Sequence, residues 1–141
     1  MAIIQRIIAF FISVLAFFGV GPKHSDPPAQ PVDNIASYTC DEKQITFSLV
    51  SNPSTGFGWE TMQSGESVLK TDESFKGNDR GNLAGAPGTQ YYTFTAIAPG
   101  KTTVTFRYAR AWENNPPAYT YIAVIRVSAD LQITLESFTQ A

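Results

Sequence analysis

Three kinds of residue are scarce in this chain of 141 residues, and each scarcity removes a class of function. There is one cysteine, Cys40, so no disulfide can form within the chain. There is one histidine, His24, among prolines and polar residues, where it cannot serve a positioned catalytic triad or partner Cys40. No pair of cysteines or histidines supplies a zinc site, and the carboxylates are scattered. Basic residues are also few: Lys and Arg number 10 against 12 acidic residues, for a net charge of -2 and a pI near 5.3. A nucleic-acid partner would need a basic face that this composition lacks. Nothing here points to an enzyme, a cofactor or a metal.

Long helical patterns are missing too, apart from an apolar run at the N-terminus. Ile7 to Val20 is broken only by Ser13 and follows Arg6. Residues 1–21 therefore read as a signal peptide, with Ala16, Gly19 and Gly21 as small residues for cleavage. The alternative is an uncleaved membrane anchor, since a span needs about 20 apolar residues. No cysteine stands directly after the run to carry a lipid. Both readings place the folded part outside the cytosol, whether extracellular, periplasmic or in an endolysosomal lumen. Residues 22–34, with Pro22, Pro27, Pro28 and Pro31, read as a flexible linker.

What remains is a series of short strand patterns divided by turn residues. The expected strands are Ile35 to Thr39, Gln44 to Val50, Gly58 to Met62, Val68 to Thr71, Tyr91 to Ile97, Thr102 to Ala109 and Tyr119 to Val127. Ile45, Phe47 and Leu49 alternate with Thr46 and Ser48, and Val104 and Phe106 with Thr103 and Thr105, as half-buried strands do. About seven strands predict an all-β, immunoglobulin-like antiparallel sandwich over residues 35–127. Trp59 is expected to face inward there. Residues 128–141 form a C-terminal extension whose Leu131, Ile133 and Leu135 suit an edge strand.

Because the chain reverses at every link, alternate links share one end of such a sandwich. Three longer links should therefore meet at one pole: the one around Asn52, the segment Asp72 to Gln90, and the segment Arg110 to Ala118. Asn52-Pro53-Ser54-Thr55-Gly56 reads as a rigid turn. Proline fixes φ, Gly56 permits a positive φ, and the two hydroxyls can bond locally. Gly85-Ala86-Pro87-Gly88 reads as a tight turn in the second link. In the third, Arg110-Ala111-Trp112 places a cation and an indole two residues apart, on one side of an extended segment. Three loops converging on a scaffold make a binding surface, and Trp and Arg are common interface hot spots.

Taken together, the three loops resemble those of the chagasin family of papain-like cysteine peptidase inhibitors. That family carries Asn-Pro-Thr-Thr-Gly, Gly-x-Gly-Gly and Arg-Pro-Trp in the same order, over roughly Ile35 to Val127. This chain departs once in each loop, at Ser54, Pro87 and Ala111. The resemblance implies a reversible, tight-binding inhibitor that acts as a monomer on a papain-like peptidase. Ser54 and Thr55 would approach the catalytic cysteine. Gly85, Ala86, Pro87 and Gly88 would lie along the non-primed side, and Arg110, Ala111 and Trp112 would grip the opposite wall. The other reading is an exported immunoglobulin-like module that binds a surface protein or a glycan, with Trp112, Tyr119 and Tyr121 as an aromatic platform. A structural domain of a larger envelope assembly is the third.

Overall fold

In the computed structural model, residues 30–77 and 87–141 are described. The expected leader lies outside them, as do residues 22–29 with His24 and the two loop residues Gly85 and Ala86. No helix among the described residues is long and apolar enough to cross a membrane.

Among the described residues, nine strands form two antiparallel sheets. In chain order they are β1 (Gln30–Pro31), β2 (Ala36–Cys40), β3 (Gln44–Ser51), β4 (Gly58–Gly65), β5 (Leu69–Lys76), β6 (Gly88–Ala96), β7 (Gly100–Ala109), β8 (Tyr119–Val127) and β9 (Ile133–Gln140). The first sheet runs β1-β2-β3-β6-β5 and the second β4-β7-β8-β9. This is the all-β sandwich that the alternation predicts.

The inward residues of the inner strands are the ones the sequence pattern selects. Ile45, Phe47, Leu49, Phe94, Val104, Phe106, Tyr121, Ala123 and Ile125 are fully buried. Phe47 lies at the centre, with ring centroids 4.9 Å from Phe106, 5.7 Å from Phe94 and 4.7 Å from Phe138. Burying a phenylalanine this completely is worth roughly 1.5–3 kcal/mol. The edge-to-face contacts with Phe94 and Phe138 add a further part.

Two expectations about the strands need correction. First, Asp72 to Lys76 does not belong to a long loop but continues β5, paired with Thr89 to Thr93 of β6, so the link is only residues 77–87. Its polar sequence suits a sheet edge, where one side of the strand meets water. Second, residues 30–34 are not free linker. Gln30 and Pro31 pair with Tyr38 and Ser37, and Asp33 is bonded into the sandwich. The C-terminal extension forms an edge strand: β9 pairs with β8 along its length, and Phe138 is buried among core aromatics. A β-bulge opposite Val124/Ile125 shifts its phase, so Ile133 faces the core before it and Phe138 after it.

The registers fix which links share an end. Ser51 stands opposite Gly88, Lys76 opposite Thr89, Gly58 opposite Ala109 and Tyr108 opposite Tyr119. Links 52–57, 77–87 and 110–118 therefore all leave one pole.

Candidate functional site

Asn52 to Phe57 carries the chain from one sheet to the other, and its shape follows from its residues. Pro53–Thr55 form a single 3-10 turn, with proline in the first turn and Gly56 closing it at φ 86°. The amide of Thr55 donates to the Asn52 carbonyl at 3.1 Å, and that of Gly56 to the Pro53 carbonyl at 2.9 Å. Both hydroxyls brace the same turn: Thr55 Oγ1 donates to the Asn52 carbonyl at 2.6 Å and Ser54 Oγ to Asn52 Oδ1 at 2.7 Å. Yet Pro53, Ser54 and Thr55 all remain exposed. The result is a stiff tip on a rigid base.

That base is aromatic. The Asn52 amide donates to Tyr108 Oη at 2.9 Å, and Phe57 stacks on the Tyr108 ring with centroids 5.2 Å apart. Trp59 packs against Tyr108 at 4.8 Å and donates from Nε1 to the Val50 carbonyl at 2.9 Å. Trp59 is thus half-buried at the margin of the core, its indole N–H tying the roots of the loop together.

The third link does not extend as its i,i+2 spacing suggests. It turns: the Glu113 amide donates to the Arg110 carbonyl at 3.1 Å, and Arg110 Nη1 meets Glu113 Oε2 at 3.1 Å. Arg110 and Trp112 both lean onto the first loop. Arg110 Nε donates to the Thr55 carbonyl at 2.9 Å, and its guanidinium stands 4.4 Å from the centroid of Phe57. The Trp112 ring lies over Gly56, so near that a β-carbon at 56 would be 2.9 Å from Cζ2. Trp112 is nonetheless 70% exposed, a large apolar surface held in place by its neighbour. Arg110 is a brace between two loops. Phe57, Tyr108 and Glu113 belong to this arrangement without having been legible as site residues. The one available signal was that they stand within three residues of the motifs.

In the second link, Gly88 is not part of a turn but the first residue of β6, and the Phe75 ring covers it. A β-carbon there would come within 2.6 Å of Phe75 Cζ. Exposed Pro87 precedes it and has no N–H to donate. Of the expected site residues, Asn52, Pro53, Ser54, Thr55, Gly56, Arg110 and Trp112 thus form one bonded cluster, with Ala111 exposed in its turn. Pro87 and Gly88 stand at the same pole on the other sheet.

The aromatic platform of the glycan reading is not present. Tyr121 is fully buried and its hydroxyl donates to Asp33 Oδ2 at 2.6 Å, while Tyr119 is half-buried against Tyr108. Only Trp112 of the three is open to a ligand.

Cys40 lies at the other end of β2, far along the strand from the loops. Burial, and then the neighbouring Asp41 carboxylate, push its thiol up to about 11. It stays protonated near neutral pH and is a poor nucleophile. Among the described residues no group of His, Cys, Asp or Glu could hold a metal ion.

The family model of chagasin family peptidase inhibitors, I42, matches residues 41–127 and so spans all three links. Among solved structures, the chain is similar to a cysteine protease inhibitor from Entamoeba histolytica. The two are 25% identical over 55% of this chain and 71% of that chain, with a TM-score of 0.44. No curated protein matches it. Since the family model covers more than half of its length, this protein belongs to the chagasin family of cysteine peptidase inhibitors, and its work is inhibition, not catalysis.

Proposed function

We propose that this is an exported, reversible inhibitor of papain-like cysteine peptidases, and that links 52–57, 77–87 and 110–118 fill the enzyme's cleft together. The observation that carries this reading is the interlock of Gly56, Trp112 and Arg110, which couples two of the three loops into one rigid wedge.

A peptidase cuts a chain that lies extended, with its scissile carbonyl open to attack and aligned with the nucleophile. Pro53 to Thr55 present the opposite. Their backbone is coiled into a 3-10 turn, and the carbonyls of Asn52 and Pro53 already accept hydrogen bonds from within the loop. Such a tip enters a cleft without offering a peptide bond in attack geometry. Because it is ordered before binding, little affinity is lost to immobilising it. Trp112 supplies exposed apolar area beside the tip, and Pro87 stiffens the second link at the cost of one N–H donor. An interface of about 1,600 Å² suffices for tight binding. The one thiol, Cys40, lies at the far end of β2 from the pole, so it takes no part in the proposed contact.

The test is a titration of papain with the purified protein. Stoichiometric loss of activity, recovered on dilution, is expected; full activity at micromolar inhibitor would sink the proposal. Export is tested separately, by sequencing the N-terminus of the protein recovered from outside the expressing cells. A mature chain that starts after the apolar run is expected.

A further inference from the structure

A fourth segment reaches the same pole. Residues 32–35 join β1 to β2 beside the root of the 52–57 loop, because Ala36 stands opposite Leu49 and the Val50 amide donates to the Ile35 carbonyl at 2.9 Å. This turn is firmly built. Asp33 Oδ1 accepts from the amides of Ile35 at 2.7 Å and Ala36 at 2.9 Å, while its Oδ2 holds the buried Tyr121 of the opposite sheet. The Val32 amide donates to the Ala36 carbonyl at 2.9 Å.

Against this turn, on the outer face of the first sheet, runs a trough of about 560 Å³ whose walls include Pro31, Asn34, Val50, Thr89 and Tyr91. A second hollow of about 320 Å³ shares Val50 and Thr89 and continues to Pro87 at the root of the 77–87 link. The two make one shoulder below the wedge. The rows of that face are otherwise polar, with Thr46 opposite Thr93, Ser48 opposite Tyr91 and, towards the sheet edge, Lys76 opposite Thr89. Val50 breaks the pattern: it points outward at the pole and is 38% exposed.

We infer that this shoulder is a fourth contact with the peptidase, on which an apolar segment of the enzyme's rim settles against Val50 and Asn34 once the 52–57 loop has entered the cleft. The inference rests on the proposed function. Continuity with the wedge identifies the occupant: the shoulder begins where the roots of the 52–57 and 77–87 links end, so an enzyme held by those links is brought against it.

The experiment compares Val50→Asp, Val50→Thr and Asn34→Trp with the unmodified protein in papain titrations, with thermal melting of each and Trp112→Ala as a reference. Val50→Asp should raise the inhibition constant roughly tenfold and Val50→Thr less. Asn34→Trp, which adds bulk to the trough, should also weaken inhibition. In hydrogen exchange, the amides of residues 32–35 should gain protection in the complex. If Trp112→Ala weakens inhibition while all three shoulder variants bind normally and exchange at 32–35 is unchanged, the shoulder plays no part and the three-loop reading survives. If the unmodified protein leaves papain fully active, the functional reading itself fails. Should Val50→Asp melt early, Val50→Thr and the exchange pattern decide.

Discussion

Gly56 tests the interlock most directly, because a single methyl there meets two obstacles of different kinds. The residue sits at φ 86°, and the ring of Trp112 occupies the space a β-carbon would take. Placing an L-residue in the left-handed region costs roughly 1–2 kcal/mol. The clash adds less to stability than its distance suggests, since Trp112 is 70% exposed and its ring can swing into water. Gly56→Ala should therefore lower the unfolding free energy by about 1–2 kcal/mol, almost all of it from φ. For a domain of about 100 residues that is a fall of roughly 4–8 °C in Tm per kcal/mol. Inhibition should suffer as well as folding, because the displaced indole is the exposed surface beside the tip. A loss of tenfold or more in the inhibition constant is expected, on the scale of a tryptophan hot spot. A double-mutant cycle with Trp112→Ala separates the two effects. In the Trp112→Ala background, Gly56→Ala should still cost its 1–2 kcal/mol of stability but change inhibition little further. Additive losses of inhibition would show that the two residues act independently. An unchanged Tm for Gly56→Ala would refute the backbone argument.

The other perturbations act on separate parts of the molecule. Trp112→Ala alone should weaken papain inhibition roughly tenfold or more with little change in Tm, as a titration and a melt will show together. At Asp33, burial pushes the carboxyl up, but the hydrogen bonds from Tyr121 and from the amides of Ile35 and Ala36 together outweigh it and hold it below its ordinary 3.8. A depressed carboxylate contributes stability that is present above its unfolded pKa and is lost as pH falls through the folded one. Melting should accordingly drop below about pH 4, and Asp33→Asn should flatten that drop; equal acid slopes for the two proteins would refute the clasp. Tyr121→Phe should cost about 1.5–3 kcal/mol at neutral pH in denaturant unfolding, the scale of a hydrogen bond to a charged group. Phe138→Ala should cost about 3–5 kcal/mol in the same assay. A cost below 1 kcal/mol would return residues 128–141 to the role of an appendage.

What could be read from the sequence depended on whether neighbours or distant partners decide a residue's conformation. In β3, β6 and β7 the period-2 pattern is decided by burial on one face, and there strands and inward residues were legible. Asp72 to Lys76 were not, because an edge strand partly open to water carries polar residues and resembles a loop. In β9 the alternation of Leu131, Ile133 and Leu135 fades at the bulge, and Phe138 reaches the core on the shifted phase. In β1 the prolines pointed to a linker, yet Pro31 lies on an edge, where a missing N–H is tolerated. The convergence of the three links followed from counting strand reversals and needed no side-chain detail. Their interlock did not, because the i,i+2 rule for Arg110 and Trp112 assumes an extended chain, and an i,i+3 turn stands there instead.

That turn also bears on the points where this chain departs from the loop pattern of its family. A proline at position 111 would stiffen the third link through its own ring. Here the link is stiffened by bonds: Arg110 is fixed to Glu113 within the loop and to the Thr55 carbonyl across it, with the Phe57 ring under its guanidinium. Ala111 is exposed between these fixed points and has only its own backbone freedom to lose, an effect of about 0.4–1 kcal/mol. Ser54 keeps the hydroxyl that bonds Asn52 and lacks only a methyl. At position 54 the retained hydroxyl holds the turn, and at position 111 the bonds of Arg110 hold the link. Pro87 is different in kind, since no neighbour can restore an absent N–H. Any change in strength or target choice should therefore come chiefly from the second link.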